Sequence, residues 1–277
     1  MQTLRKMFTM RSAITALVAL LIMVIAAVMY DGHVAGDSFW RGIIIANFSR
    51  SILGVSAWFG DNYGFGIIIF TVLIRLLILP LMVYQTGSMR KMQEIGPELK
   101  KLQQKYSSRD PETMQAMQAE QKKLYKDAGV NPFASFIPLL VQMPILIALY
   151  TAIRTTKVLE TGTFFWVQLG ERDPYFILPI LAALFTFASS YLVMMGQPEK
   201  NGMTTSMTYV MPIMIFIFAI SVPSALSLYW VISNAFQVAQ TWTIQNPFEI
   251  RREREAKKEA ERAKQRAIRK AVRRHKR

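Results

Sequence analysis

The sequence has no cysteine and only two histidines among its 277 residues. Without cysteine the chain cannot form disulfides, use a thiol as a nucleophile or bind a metal through thiolates. His33 and His275 stand in polar stretches near opposite ends of the chain. A metal site needs several such ligands close together, so we expect no metal site and no cofactor.

Signatures of catalysis and of proton-coupled transport are missing as well. There is no glycine-rich phosphate loop, no H-E-x-x-H sequence and no nucleophile elbow. The long apolar segments contain no Asp or Glu and show no clear inverted repeat, which disfavours a proton-coupled transporter. Glu171 and Asp173 are predicted to be isolated acids in a loop. These absences point away from hydrolytic chemistry.

Long apolar runs dominate what is present. Hydrophobic residues make up 52% of the chain, and they are concentrated in long blocks. A helix of about 20 apolar residues spans the hydrocarbon core of a bilayer. We therefore predict an all-α integral membrane protein with a five-span helical bundle at residues 64–245. The predicted spans are 65–84, 133–153, 175–195, 206–222 and 224–243.

Two segments precede this bundle. Residues 1–30 combine a basic start with an apolar run, the pattern of a signal peptide or signal anchor, and the pattern does not decide cleavage. Residues 38–60 have apolar side chains at helical spacing, interrupted by Arg41 and Arg50. This pattern predicts an amphipathic helix in the outer membrane interface, with a soluble core helix as the alternative.

Basic residues accumulate in two polar segments and account for much of the net charge of +15. Residues 85–131 divide at 107–111 and predict a helical hairpin that is either a plain stalk or a docking arm. Residues 246–277 form a tail whose second half is nearly all basic. Lys and Arg mark the cytoplasmic side of membrane proteins, so we expect the hairpin and the C-terminus there. The charge of the tail suits contact with phosphate-bearing partners, such as a ribosome or anionic lipid. Contact with water alone is the alternative.

Arg75 stands near the middle of the first predicted span, about 15 Å from either end at the α-helical rise. Insertion scales put the cost of an Arg there at about 2.5–3.5 kcal/mol, so the side chain should face water, a polar partner or a substrate. The alternative is a buried Arg paired with backbone carbonyls or neighbouring helices.

The last predicted span has a polar stripe on one helical face. Its members are Ser227, Trp230, Asn234, Gln237 and Thr241. Such a face turns toward the bundle or toward water rather than lipid. Each residue has two alternative roles, to form a hydrogen bond between helices or to line a cavity. Together with Arg75, the stripe favours a cavity.

Three segments together resemble the YidC-type membrane protein insertases, in the form typical of single-membrane, Gram-positive bacteria. They are IIIFTVLIRLLILPL (67–81), GVNPFASFIPLLVQMPILIALY (129–150) and PSALSLYWVISNAFQVAQ (223–240). The resemblance implies a groove that is open to the cytoplasm and to lipid but closed outside. It also implies a location in the bacterial plasma membrane and the role of an insertase or chaperone for nascent hydrophobic proteins.

The resemblance also assigns residues and partners. The substrate-binding groove residues would be Arg75, Gln142, Ser189, Ser190, Trp230, Asn234 and Gln237. Partners would be nascent membrane proteins, the ribosome and membrane lipids, with a Sec-type translocon left open and no sequence-specific nucleic acid. No covalent bond need change in such a role, so we expect a protein that is not an enzyme.

Two functions of other classes stay open from the residues alone. One is a small-anion channel or transporter with Arg75 as its anion site. The other is a non-translocating assembly scaffold that works through the hairpin at 85–131 and the basic tail.

Overall fold

The computed structural model describes residues 40–107, 110–132, 137–197, 202–244 and 246–275. The predicted signal segment at 1–30 lies outside the described residues, as does the start of the second predicted span. Within the described part, the chain is almost entirely helical. In chain order, a π-helical turn at Trp40–Ile45 precedes α1 (Ala46–Ala57), α2 (Tyr63–Glu94), α3 (Gly96–Lys105), α4 (Pro111–Asp127), α5 (Ile137–Thr155), α6 (Lys157–Thr161), α7 (Ile177–Met195), α8 (Gly202–Ser221), α9 (Ser224–Ile244) and α10 (Pro247–His275).

Helix α2 extends ten residues beyond the predicted end of its apolar segment. The Asn62 side chain caps its start by accepting a hydrogen bond from the Phe65 N–H at 3.2 Å. The predicted span ends at residue 84, but the helix that contains it continues to Glu94. Polarity rises after Tyr84, but no proline follows until Pro97, so nothing in the backbone stops the helix earlier.

Length and hydropathy alone distinguish only some of the predicted spans. In the described part of the chain, α2 and α7 are long and apolar enough to cross a membrane. Shorter apolar helical stretches occur at Gly42–Ala57, Leu140–Thr155 and Thr205–Ser221. Helix α9 is long enough, but its polar stripe lowers its hydropathy.

Helix α1 packs closely against the first turns of α2. Ile52 and Ser56 are fully buried, and Gly66 of α2 faces them. A Cβ on Gly66 would lie 2.8 Å from the Ile52 carbonyl oxygen and would collide with the Ser56 hydroxyl. The missing side chain is therefore what allows the two helices to approach.

We expect Gly66→Ala to destabilise the fold by about 1–3 kcal/mol, because the added methyl forces two packed helices apart. A matched control is Gly54→Ala in α1, where nothing lies within 4 Å of the added Cβ. The control should keep or slightly raise stability, since alanine favours a helix over glycine. The thermal unfolding midpoint in detergent micelles measures both, and equal midpoints for the two variants would contradict the packing argument.

A small folded segment between α6 and α7, which we call the cap, ties together one end of the helix bundle. Strands β1 (Thr163–Phe164) and β2 (Val167–Gln168) form an antiparallel pair after α6. Beyond them, the main-chain carbonyl of Glu171 accepts from the Ser224 N–H at 2.6 Å and from its hydroxyl at 2.7 Å. The start of α9 is thereby fixed to the cap.

Asp173 is the organising side chain of this cap, so the prediction of an isolated loop acid is wrong. Its carboxylate is 4% exposed and accepts three hydrogen bonds. The donors are the Trp166 indole at 3.0 Å, the Tyr175 N–H at 3.0 Å and the Leu178 N–H at 2.7 Å. It thus holds both the strand pair and the first turn of α7, where free N–H groups attract negative charge.

Glu120 of α4 links this helix to the end of α3. Glu120 of α4 accepts hydrogen bonds from Lys105 and from the Tyr106 hydroxyl, both at 2.7 Å. These hydrogen bonds, first from Lys105 and then from Tyr106, lower the pKa of the Glu120 carboxyl, and the bond to Glu120 raises the pKa of Lys105.

The pairing of α3 with α4 should therefore depend on pH only at the extremes. A lowered carboxyl pKa stabilises the contact above the ordinary Glu value of about 4.3, and that contribution is lost as the pH falls through the lowered pKa. A raised lysine pKa stabilises the contact below about pH 10.4, and that contribution is lost at still higher pH. We expect distances between spin labels on α3 and α4 to be constant from about pH 5 to 10 and to spread below. The variant Glu120→Gln should show the spread distribution at pH 7, and an unchanged distribution would contradict this role.

Candidate functional site

A large open cavity lies between α2, α5, α7, α8 and α9, with the start of α10 at its edge. Its volume is about 1060 Å³. It begins beside Arg75, near the middle of α2, and extends to Arg90 and Lys91 near the C-terminal end of that helix. The folded cap ties the helices at their other end, so the cavity opens away from the cap. We call it the groove.

Arg75 is a partly buried cation on the wall of the groove. Within the described part of the chain, no side chain forms an ion pair or hydrogen bond with it. The Tyr229 phenol lies close enough to interact with it electrostatically. A guanidinium has five N–H donors, so Arg75 presents a charged, hydrogen-bonding surface to whatever fills the groove.

Three further predicted site residues line the groove with Arg75. Gln142 of α5 donates to the Tyr229 hydroxyl at 3.0 Å, which joins α5 to α9 beside the cavity. Ser190 of α7 and Gln237 of α9 also line it. Polar side chains from four different helices therefore converge on the groove.

The other three predicted site residues do not line the groove. The Ser189 hydroxyl donates to the Thr186 carbonyl within its own helix at 3.0 Å. Asn234 donates to the Thr186 hydroxyl at 2.9 Å, so it links α9 to α7. Trp230 is 7% exposed and contacts Phe218 edge-on, with ring centroids 5.9 Å apart. The helical period locates a face, but the groove occupies only the C-terminal half of that face of α9.

Sequence reasoning missed the part of α2 that follows Tyr84. Gln85 is 6% exposed, and Gln85, Thr86 and Met89 all line the groove. The sequence predicts them in the hairpin, because polarity rises after residue 84. The helical spacing could have indicated that this part of α2 continues the groove wall, since five groove residues recur every three or four positions from Arg75 onward. These are Arg75, Ile78, Met82, Gln85 and Met89.

The first turns of α10 form part of the groove and are held there by contacts of charged side chains. Ile250, which is 7% exposed, lines the cavity. Arg254 donates to the Gly196 carbonyl at the end of α7 at 3.1 Å. Glu253 lies 3.8 Å from Arg90 of α2. Burial first, and then the charge of Arg90, lowers the pKa of Arg254. Even so, a guanidinium stays protonated at neutral pH.

The sequence matches a known protein family over most of its length. The model of the family described as "60Kd inner membrane protein" matches residues 54–253. The membrane protein insertase YidC 2 of Lactiplantibacillus plantarum is 61% identical over 220 residues, which cover 79% of each chain. YidC 2 of Listeria innocua is 47% identical over 255 residues, covering 91% of this chain and 89% of the relative. The insertase MisCA of Bacillus subtilis is 47% identical over 79% of this chain and 84% of its own.

A solved structure has the same fold. It is described as an active YidC insertase with the first transmembrane domain resolved. The match has a TM-score of 0.57 and 24% sequence identity. It covers 75% of this chain and 47% of the solved one, so this chain spans about half the length of that protein.

Proposed function

Since the chain belongs to the YidC family of membrane protein insertases, we propose that its groove receives nascent hydrophobic proteins and releases them into the bilayer. The chain is a bacterial membrane protein of insertase type. The anion channel and the assembly scaffold, which the residues left open, are not favoured, because the relatives are named insertases.

The observation that carries the proposal is Arg75 on the wall of a wide groove, where no side chain of the described residues forms an ion pair or hydrogen bond with it. A narrow anion channel would need a constriction around its cation, whereas a cavity of about 1060 Å³ holds a stretch of polypeptide. Its wall has both apolar and polar side chains, as a substrate with both kinds of segment requires. Arg75 would attract the acidic, hydrophilic segment that a substrate sends outward.

The driving force would come from the substrate. Its apolar segment leaves the groove for lipid, and burial of apolar surface is worth roughly 25 cal/mol per Å². With the inside negative, each acid that moves fully outward gains about 2.3 kcal/mol per 100 mV. Water in the groove would shorten the distance that polar groups travel through hydrocarbon. No covalent bond changes, so we propose no catalytic residue and no cofactor.

The membrane topology is part of the proposal. We propose five crossings by α2, α5, α7, α8 and α9, with α1 in the outer interface and residues 1–30 as a signal peptide or anchor. Helix α2 has 32 residues, about 48 Å at the α-helical rise, so its last part extends beyond a hydrocarbon core of about 30 Å. That part would lie in the cytoplasm with α3, α4 and the basic tail, in accord with their positive charge.

The partners follow from charge and position. The tail, 246–277, and the pair α3–α4 would contact the ribosome, whose phosphates attract Lys and Arg without sequence specificity. Anionic lipid headgroups would compete for the same charges. A Sec-type translocon would be a partner for substrates that need one.

The test uses the purified full chain in liposomes while a small two-span membrane protein is synthesised alongside. Protease-protected substrate is compared with that in protein-free vesicles of the same lipid. We expect a several-fold gain over the empty vesicles. No gain, with the protein folded and correctly oriented, would overturn the proposed function.

A further inference from the structure

The first two turns of α10 contact the helix bundle, whereas the part that follows does not. Pro247 and Ile250 are buried, line the groove and stand three positions apart, so they share one face of the helix. Arg254, four positions further along, is partly buried on the same face. From residue 255 to residue 269 every side chain is exposed. Helix α10 therefore divides into a docked segment, 247–254, which we call the α10 wall, and an exposed arm.

Two polar contacts hold the α10 wall against α7 and α2. Arg254 donates to the main-chain carbonyl of Gly196 at 3.1 Å, at the C-terminal end of α7, where carbonyl groups have no partner within the helix. Glu253 lies 3.8 Å from Arg90 of α2, and Arg90 also pairs with Glu94 of its own helix at 3.3 Å. The α10 wall thus joins the end of α7 to the end of α2 at the open end of the groove.

The charge of Glu253 matters for the docking of the α10 wall. The Nε of Arg90 is buried and has no hydrogen-bond partner among the described residues. A buried donor without a partner costs free energy, and the nearby carboxylates offset that cost through their charge. The variant Glu253→Arg would bring a third guanidinium beside Arg90 and Arg254, so attraction would become repulsion. Docking should therefore depend on the sign of the charge at residue 253.

We propose that the α10 wall is a substrate-contacting part of the groove and that Glu253 and Arg254 position it there. The inference rests on the proposed insertase function and adds a binding surface to it. A polypeptide that enters from the open end would meet Pro247 and Ile250 before it reaches Arg75, because these two residues line that end. The exposed arm would bind its own partners without forming any part of the groove.

The α10 wall suits the apolar part of a substrate. Along α2, the open end of the groove is lined by Thr86, Arg90 and Lys91, which are polar or charged. Pro247 and Ile250 add apolar surface at this end. A nascent hydrophobic protein needs both kinds of contact, because its apolar segments leave water at the point of entry.

The first test is oxidative cross-linking in the full chain, which has no cysteine of its own. Ile250→Cys and Gln237→Cys each place one thiol in the groove, and Phe248→Cys places one on an exposed part of α10 outside it. A two-span substrate with one cysteine in its first apolar segment is synthesised alongside in liposomes. We expect disulfide-linked adducts with Ile250→Cys and Gln237→Cys, and several-fold fewer with Phe248→Cys.

The position at Gln237 separates this inference from the proposed function. Adducts with Gln237→Cys but not with Ile250→Cys would overturn the role of the α10 wall and keep the groove. Equal adducts with Ile250→Cys and Phe248→Cys would indicate unspecific contact and would overturn that role as well. Absence of adducts at all three positions would overturn the proposed function together with it.

The second test concerns the two positioning residues. Spin labels at the exposed residues Arg252 and Tyr191 report the distance between α10 and α7 in the full chain. We expect one narrow distance distribution in the wild type. Glu253→Arg should raise the population at longer distances by about tenfold, because an exposed ion pair, worth up to about fivefold, is replaced by repulsion. Arg254→Ala, which removes the donor to α7, should also raise it.

The matched control is Glu255→Arg, which changes the charge of α10 by the same amount. Glu255 is exposed and pairs with Arg251 of its own helix at 2.9 Å, so its variant should keep the narrow distance and the insertion of the wild type. The double variant Arg90→Glu with Glu253→Arg should recover much of the distance and of the several-fold loss of insertion in Glu253→Arg. An unchanged distance in Glu253→Arg, an equal loss of insertion in Glu255→Arg, or no recovery in the double variant would each overturn the positioning role.

Discussion

Replacing Arg75 with alanine should reduce insertion of a substrate with an acidic outer segment by at least tenfold. An opposite charge 4 Å away is worth about 4 kcal/mol at an effective dielectric constant of 20, and about 1.4 kcal/mol already corresponds to a factor of ten. No described side chain forms an ion pair with Arg75, so its charge is available to the substrate. We therefore expect no other side chain in this part of the groove to replace it. The measurement is protease-protected substrate in liposomes, with the thermal midpoint of the variant checked beside it.

The conservative variant separates charge from shape. Arg75→Lys keeps a cation but loses the planar fork, so it should retain partial insertion if charge attraction dominates. A substrate whose outer segment has its acids replaced by glutamine should be nearly indifferent to either variant. If lysine were as inactive as alanine, simple charge attraction would be the wrong mechanism. If the Arg75→Ala variant inserted substrate as well as the wild type, the proposed insertase function would be kept and the proposed role of Arg75 would be rejected.

The variant Asp173→Asn should lower the free energy of unfolding by roughly 3 kcal/mol. Its carboxylate accepts three hydrogen bonds while 4% exposed, and an amide in its place turns an N–H toward a donor. Bonds to a charged acceptor are worth about 1.5–3 kcal/mol each, and a buried donor without a partner adds a penalty. The thermal midpoint should fall by roughly 6–12 °C for a chain of this size.

Glu171→Gln is the matched control for the cap. Glu171 is two residues away and exposed, and the cap uses its main-chain carbonyl rather than its side chain. Its midpoint should match the wild type. A small shift in Asp173→Asn, comparable with that of the control, would show that the carboxylate does not hold the cap.

The sequence predicted the helical fold and a cavity beside Arg75, because both rest on local signals; the role of Arg75 in insertion stays a prediction. A run of apolar residues and one charge within it need no knowledge of neighbours. Ser189 and Trp230 were expected in the groove but do not line it, because the period of a helix locates a face but not the depth at which a cavity begins. The residues after Tyr84 escaped for another reason, since polarity marks where a membrane ends and not where a helix ends.

Asp173 shows what sequence patterns could not reveal in the cap. Its three donors come from Trp166, Tyr175 and Leu178, and only the fold brings the first of them to the carboxylate. The strand pair at residues 163–168 has the same origin, because segments this short have no periodicity. Tertiary contacts therefore decided the parts of the molecule that local propensity left open.

The cap also determines how the bundle can deform. Its hydrogen bonds fasten the starts of α9 and α7, whereas the groove lies toward the other end of the bundle, so the cap is the fixed end about which α9 would tilt. Helix α9 has 21 residues, about 31 Å at the α-helical rise. A tilt of about 5° about the pivot would move its far end by roughly 2.7 Å and its near end hardly at all. Such leverage would change the width of the open end of the groove while the capped end keeps its shape.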